Sequence, residues 1–185
     1  MAGSPSDSEY VAGLRAGDAH AYEAVFREYH ARLCSFACSY LQNRSEAEEV
    51  VQDLFLALWQ KREQLEVRTS LRAYLFTAVR NRVLNRSARA RLERLHLEQI
   101  DPIGLESSEN RSADDHISSE QIAARVEAAM SELPAGCRRV LQLRWQDGLS
   151  YAEIAEALSI SVKGVENQLA RARKSLRQRL GDLIR

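Results

Sequence analysis

Hydrophobic residues in the first forty positions recur at steps of three and four. The spacing predicts an α-helix with one buried face, because residues at these steps share one side of a helix. Asp18 precedes the pattern and is a residue type that caps helix N-termini. The predicted inward residues are Tyr22, Val25, Phe26, Tyr29, Leu33, Phe36, Ala37 and Tyr40.

Two further helices complete a first unit. Ser45 and Glu48 have the spacing of a capping box, which predicts the start of the second helix. Its apolar stripe is Val50, Val51, Leu54, Phe55, Leu58 and Trp59, and its other face is acidic. We expect the third helix to begin at Ser70. Its inward stripe is Leu71, Tyr74, Leu75, Ala78, Val79 and Val83, with arginines outward.

A second helical unit follows a long polar stretch. Ser118 with Gln121 predicts the start of one helix, and Pro134 occupies a plausible first position of the next, which Gly148 ends. Ser150 and Glu153 form another capping box. It opens a short helix whose predicted inward residues are Ile154, Ala155 and Leu158.

The last helix is predicted to begin after Ser161 and to be amphipathic. Its expected core side is Val162, Val165, Leu169, Ala172, Leu176 and Leu180. A short helix, a tight turn and a longer helix form a helix-turn-helix, whose second helix reads the DNA major groove. The outward face, suited to base and phosphate contacts, is Lys163, Glu166, Asn167, Ala170, Arg171 and Lys174. An ordinary packing helix with a solvated polar face is the alternative reading.

Charge is balanced overall but divided into blocks of opposite sign. The formal net charge is zero, yet residues 71–94 and 161–180 are basic and residues 95–120 are acidic. We therefore expect an all-α protein of two small helical domains, 8–94 and 117–183, joined by a flexible acidic linker at 95–116. No long apolar segment or signal peptide is evident in the sequence, which favours a cytoplasmic location.

Three segments resemble the sigma-70 family of transcription initiation factors, in its extracytoplasmic function (ECF) group. Residues 149–180, LSYAEIAEALSISVKGVENQLARARKSLRQRL, resemble region 4. Residues 47–65, AEEVVQDLFLALWQKREQL, resemble region 2.2, and residues 70–92, SLRAYLFTAVRNRVLNRSARARL, resemble regions 2.3 and 2.4. The segment SLRAYLFTAVRN most resembles the iron-transport-like branch abundant in Bacteroidetes. Region 2 is then a three- to four-helix bundle, and region 4 is a four-helix domain with the helix-turn-helix.

The resemblance implies a role for each surface. The chain would bind core RNA polymerase through Glu49, Gln52 and Asp53. Loop 63–70 would hold a flipped base of the minus-10 element, and the outward face of the third helix would bind the melted strand. The helix residues expected there are Arg72, Arg80, Asn81, Asn85 and Arg86. The final helix would read the minus-35 element with the six outward residues given above.

The resemblance implies promoter DNA and core RNA polymerase as partners, and also an anti-sigma factor, for which it suggests a membrane-bound form. Asn85, Ser159 and Gly164 depart from common family residues, namely an Asp, a turn Gly and a Thr. Gly164 lowers helix propensity, and Ser159 is expected in a strained left-handed conformation.

Two other classes of function stay open at the level of sequence. One is a stand-alone helix-turn-helix regulator that binds duplex DNA as a dimer, and the other is a helical adaptor with no DNA role. An enzyme is not expected, because no catalytic constellation or phosphate-binding loop is present in the sequence. We expect no cofactor, metal or small-molecule substrate, and we interpret Cys34 and Cys38 as packing residues.

Overall fold

The structure is a computed structural model that describes residues 7–97 and 119–180, and every regular element in these two ranges is helical. The all-α prediction is thereby confirmed. The first unit contains four α-helices: α1 (Asp7–Ala16), α2 (Ala19–Leu41), α3 (Arg44–Gln60) and α4 (Leu71–Leu97). A short 3₁₀ turn, Arg62–Gln64, lies between α3 and α4. None of the helices in the described ranges is both long and apolar enough to span a membrane.

The helix starts of the first unit follow the sequence in two cases of three. Asp18 caps α2 by accepting a hydrogen bond from His20 N–H, as expected. Ser70 Oγ accepts from Ala73 N–H at the start of α4. The prediction for α3 was wrong: Asn43 is its N-cap and accepts from Glu46 N–H. Both positions offer short polar side chains, and the helix uses the earlier one because it gains another half turn.

Helix α1 was not among the three helices read from the spacing, although the expected bundle allowed a fourth. It buries Tyr10 and Leu14 against the rest of the first unit. Its polar residues hold the loop before α4: Asp7 Oδ2 accepts from Leu71 N–H at 2.8 Å, and Arg15 donates to the backbone carbonyl of Leu65. Helix α1 therefore positions the loop that precedes the basic helix.

The second unit comprises α5 (Ser119–Ser131), α6 (Ala135–Leu141), α7 (Tyr151–Leu158) and α8 (Val162–Leu180). Pro134 was expected at the first helical position of α6, but it is the N-cap, and the helix begins one residue later at Ala135. The chain continues from α6 as one π-helical turn, Gln142–Gln146, which the sequence did not indicate. Gly148, with φ +67°, ends this segment as predicted, in a conformation that glycine adopts without strain.

The helix-turn-helix forms as the sequence indicates. Ser150 and Glu153 make both hydrogen bonds of the capping box of α7. Ser159 adopts the left-handed conformation, with φ 50°, in the turn, and Ser161 Oγ accepts from Gly164 N–H at the start of α8. Two core assignments were wrong: Phe26 of α2 is 36% exposed, and Val162 is 44% exposed, since it lies at the first residue of α8, before the helix reaches its neighbours.

The two units pack directly against each other. Helix α4 lies along α7, and α2 contacts α6. Most of the buried apolar residues of both units belong to one continuous core, from Tyr10 in α1 to Leu169 in α8. A smaller core of Leu133, Cys137, Leu141 and Ala172 holds α6 to α8. Helix α4 extends to Leu97, past the expected start of the linker, and residues 98–118 lie outside the described ranges.

Candidate polymerase and nucleic-acid interfaces

The outer face of α3 presents the three residues expected to bind polymerase. Glu49, Gln52 and Asp53 are all exposed, while the neighbouring positions Val50, Val51, Leu54 and Phe55 are buried. Leu56 is 55% exposed on the same face, one helical turn beyond Gln52. Sequence reasoning missed Leu56, although its place outside the apolar stripe of α3 was a signal for it.

Arg86 of α4 reaches this acidic face. Its Nη2 donates to Glu49 Oε2 at 2.7 Å, and its Nε lies 3.5 Å from Glu46 Oε2. The hydrogen bond from Arg86 lowers the pKa of Glu49, and the nearby positive charge acts in the same direction. The expected polymerase surface and one expected DNA contact are therefore joined by an ion pair.

The outward face of α8 has the composition and exposure expected of a recognition helix. Its inner side is formed by Val165, Leu169 and Ala172, which are buried. All six residues expected to contact the minus-35 element are exposed. Lys163 and Glu166 form an ion pair of 2.9 Å near the start of the helix. The arrangement can present hydrogen-bonding groups to base edges and cations to phosphates.

The five residues expected to bind the minus-10 strand do not share one outward face. Arg72 and Arg80 point toward the second unit, where Arg72 pairs with Glu153 and Arg80 donates to Ser159 Oγ. Arg86 points toward α3, while Asn81 and Asn85 are exposed. The expectation of a single outward face was wrong because α4 has helical neighbours on two sides.

Two concave regions adjoin α4. Asn85, Arg82 and Arg86 line one of about 590 Å³ together with Asp53 and Glu46 of α3. The other, of about 620 Å³, lies between α1 and the loop, and its wall includes Val67, Thr69 and Ser70 of the segment expected to hold a flipped base. Both have the volume of a small-molecule pocket, so the second is large enough for one nucleobase.

Known proteins resemble the chain over nearly its whole length. The family model for Sigma-70 region 2 matches residues 25–93, and the model for Sigma-70 region 4 matches residues 118–176. The ECF RNA polymerase sigma factor SigL of Mycobacterium tuberculosis is 28% identical over 174 residues, which cover 94% of this chain and 96% of SigL. The RNA polymerase sigma factor CnrH of Cupriavidus metallidurans is 29% identical over 180 residues, which cover 93% of this chain and 94% of CnrH.

Two solved complexes resemble the fold. The structure of CnrH in complex with the cytosolic domain of CnrY aligns with a TM-score of 0.63 and 25% identity, covering 96% of this chain and 99% of that one. The sigma factor RpoE of Bartonella quintana, in complex with the anti-sigma factor NepR, aligns with a TM-score of 0.61 and 24% identity. That alignment covers 86% of this chain and 96% of RpoE.

Two helical units, of which the second carries a helix-turn-helix with an exposed second helix, are typical of a transcription factor. Both units match the sigma-70 family, and the chain belongs to it, within the ECF group. It is a sigma factor that directs RNA polymerase to promoters.

Proposed function

We propose that each surface of this sigma factor has a separate task in initiation. The first unit binds core RNA polymerase through the exposed face of α3 and engages the melted minus-10 strand through α4 and the loop before it. The second unit reads the minus-35 element through α8. The observation that carries the proposal is the exposed face of α8, where all six expected contact residues lie together beside a capped short helix.

The polymerase surface is supported by its mixed chemistry. Carboxylates at Glu49 and Asp53 suit a basic partner and repel DNA, and the exposed Leu56 between them and the end of α3 supplies apolar area. Glu49, Gln52 and Leu56 lie at steps of three and four residues, so one partner helix could contact all of them. The polymerase contact of this chain is therefore assigned to α3.

The side chains proposed to contact the minus-10 strand differ in whether they already have a partner within the chain. Asn81 and Asn85 are exposed and can bind an unpaired base or the sugar-phosphate chain, whereas Arg72, Arg80 and Arg86 must first leave carboxylate or hydroxyl partners. Arginine and polar side chains along one groove suit single-stranded nucleic acid. The cavity beside loop 63–70 is the place for the flipped base.

An anti-sigma factor is the regulatory partner we infer, since CnrH and RpoE are both structurally similar and RpoE was solved with one. The proposal includes a cytoplasmic location for the sigma factor and a membrane-bound form of its anti-sigma factor. The domain boundaries 8–94 and 117–183, with the linker 95–116, are part of the proposal. The proposal also includes membership of the iron-transport-like branch, which the SLRAYLFTAVRN segment supports. It further includes the absence of catalytic activity, cofactor and metal.

Run-off transcription with purified core polymerase on a library of upstream sequences tests the proposal. We expect initiation to depend on the added chain and on a minus-35 and minus-10 pair. The double variant Glu49→Lys with Asp53→Lys should lose association with core polymerase and lose transcription, because it reverses the acidic face. The matched control, Glu23→Lys with Glu127→Lys, changes the same charge at two other exposed positions and should stay active.

Two results would contradict the sigma function, and a third would contradict only the assigned polymerase interface. Transcription that is no better with the chain than with core enzyme alone, on every template, would remove the sigma function. Tight, sequence-specific binding of duplex DNA by the purified chain without polymerase would indicate the stand-alone regulator instead. Unchanged polymerase association in the double variant would move the interface away from α3 while leaving the sigma function in place.

A further inference from the structure

The second unit leaves a tryptophan ring exposed next to its recognition helix. Trp145 lies in the π-helical turn Gln142–Gln146 and is 55% exposed, while Leu143 of the same turn is fully buried. Tryptophan offers one of the largest apolar surfaces of any side chain, so a ring left in water forgoes a large favourable burial. Single π-helical turns are frequent at functional sites. Trp145 therefore suits a role other than core packing.

Trp145 contacts Arg173 of α8 through the face of its ring. The central carbon of the Arg173 guanidinium lies 5.6 Å from the ring centroid, within the range of a cation–π interaction. Arg173 is exposed, and it pairs with no carboxylate of residues 7–97 and 119–180. A guanidinium stacked on a ring keeps the N–H groups at its edge available, and their fork geometry fits a phosphate. Arg86 of α4 differs, because its N–H groups already donate to Glu49.

Arg173 lies at one margin of the outward face of α8. Glu166, Ala170, Arg173 and Arg177 follow one another at steps of four, three and four residues, so they form one row along the helix. All four are exposed, and the first two belong to the face expected to read the minus-35 element. Trp145 lies beside this row at Arg173. The row is therefore the boundary between the reading face and the π-helical turn.

The dimensions of the major groove assign this margin to the DNA backbone. The groove of B-form DNA is about 12 Å wide, and a helix with its side chains is about 10–12 Å across, so the helix fills the groove. Residues in the middle of the inserted face then meet base edges. Residues at its margins meet the sugar-phosphate strands on either side. Arg173 has the charge and the place for such a phosphate contact.

We propose that Trp145 is a positioning residue for minus-35 binding, which holds the Arg173 guanidinium ready for a backbone phosphate beside that element. The inference rests on the proposed minus-35 role of α8. A free arginine loses much rotamer freedom when it binds, and a ring that already restricts the side chain reduces this loss. The phosphate contact adds affinity and fixes the position of α8 in the groove, but it carries no sequence information itself.

Substitutions at the two positions separate the ring from the charge. Trp145→Ala removes the ring, and Trp145→Leu keeps apolar bulk without an aromatic face. Trp145→Phe is the conservative variant, because it retains a ring that can hold a guanidinium. Arg173→Ala removes the charge. Both residues are exposed, so we expect melting temperatures close to that of the wild type. If Trp145→Ala does not fold, Trp145→Leu takes its place.

Two neighbouring residues of α5 provide matched controls. Arg125→Ala removes an exposed arginine, and Val126→Ala shortens an apolar side chain that is 39% exposed. Both positions belong to the second unit but lie outside the row on α8. The controls therefore report what the loss of a surface charge or of exposed apolar area does by itself.

Holoenzyme binding to promoter DNA over a series of salt concentrations measures the phosphate contact. Each neutralised phosphate contributes about 0.9 to the slope of log K against log salt concentration. We expect Arg173→Ala to weaken binding several-fold for every minus-35 sequence alike, and to make the slope shallower by about 0.9. Trp145→Ala and Trp145→Leu should weaken binding to the same sequences by a smaller factor. Trp145→Phe and both controls should bind like the wild type.

The double variant Trp145→Ala with Arg173→Ala distinguishes positioning from a structural role. We expect it to bind no more weakly than Arg173→Ala alone, because the ring acts through the arginine. Additive losses, an unchanged salt slope for Arg173→Ala, or no recovery in Trp145→Phe relative to Trp145→Leu would overturn the proposal. Weaker association of Trp145→Ala with core polymerase in the absence of DNA would also overturn it, since the ring would then contact polymerase.

The positioning role and the proposed function can fail independently. A holoenzyme that loses minus-35 discrimination in Asn167→Ala, but binds normally with Trp145→Ala and Arg173→Ala, would retain the proposed function and remove the role of Trp145. A chain that never supports transcription but binds duplex DNA alone would remove the proposed function, and the same salt series on the full chain would still test the pair. No DNA binding under either condition would remove both.

Discussion

Helices α4 and α8 both carry cationic and amide side chains expected to contact DNA, but they differ in what surrounds them. The six expected residues of α8 are all exposed. On α4, Arg72 pairs with Glu153 of α7, and Arg86 pairs with Glu49 of α3. An arginine is available to DNA only when no carboxylate of the same chain holds it, so similar composition on two helices gives different readiness to bind.

The difference originates in packing. Helix α8 has neighbours on one side only, formed by α5, α6 and α7, and its polar side faces solvent. Helix α4 lies between α2 and α3 on one side and α7 on the other. Its arginines are distributed around the helix, so two of them, Arg72 and Arg86, meet acidic neighbours.

The largest expected effect is a difference in stability between an arginine substitution on α4 and one on α8. Arg72→Ala should lower the free energy of unfolding by about 3 kcal/mol, because it leaves the buried Glu153 carboxylate without its counter-charge. This is the low end for a buried pair, since the Arg72 side chain is 36% exposed. Arg171→Ala on α8 should change stability by less than about 0.5 kcal/mol. Urea unfolding of both variants measures the contrast, and equal losses would contradict it.

Promoter discrimination should be sensitive to substitutions on α8, although these hardly change stability. Asn167→Ala or Arg171→Ala should each cost about 1–3 kcal/mol in discrimination between minus-35 sequences, as expected for lost base contacts. Lys174→Ala is the comparison, because the loss of a phosphate contact weakens binding to all sequences alike. Holoenzyme binding to a minus-35 library provides the measurement. Uniform losses for Arg171→Ala would reassign it to the phosphates.

Acid should remove the stabilisation that the Glu153 carboxylate provides where α7 packs against α4. The pKa of Glu153 is lowered to about 2 when folded, so its stabilisation is present above its ordinary pKa and is lost as the pH falls from about 4.5 toward 2. The part lost by pH 3 is on the order of 2 kcal/mol. Urea unfolding between pH 7 and pH 3 measures it, and Glu153→Gln should flatten the profile.

Asp147 at the same interface should act in the opposite direction. Burial raises its pKa, although Arg32 lowers it, and its Oδ2 has no hydrogen-bond partner within the described residues. Protonation of Asp147 therefore offsets part of the acid loss. Asp147→Asn should make the loss of stability between pH 7 and pH 3 larger than in the wild type. A smaller loss would contradict this assignment of sign.

The smallest effect concerns two residues in the left-handed conformation. Gln42 at the end of α2 and Ser159 at the end of α7 have φ 53° and φ 50°. Gln42→Gly should raise the melting temperature, corresponding to about 1 kcal/mol of relieved strain. Ser159→Gly should raise it less, because Ser159 Oγ also accepts a hydrogen bond from Arg80 of α4. Equal gains would show that this contact between the units contributes nothing.

Local patterns predicted local structure well. The capping box at Ser150 and Glu153 and the exposed face of α8 were both read from spacing, because their determinants lie within one or two helical turns. The pairing of Arg72 with Glu153 could not be read, since the two residues are 81 positions apart and each already had a plausible local role. Asn43 was missed for another reason, as two polar residues competed for one cap.

The π-helical turn at Gln142–Gln146 gives the second unit a built-in optical signal. It places Trp145 outward, 55% exposed, with the Arg173 guanidinium of α8 5.6 Å from the centroid of its ring. The only other tryptophan of the chain, Trp59, lies in α3 against Tyr22. Each half of the molecule thus holds one intrinsic fluorophore in a different environment, and unlabelled protein can report on each half by its own emission.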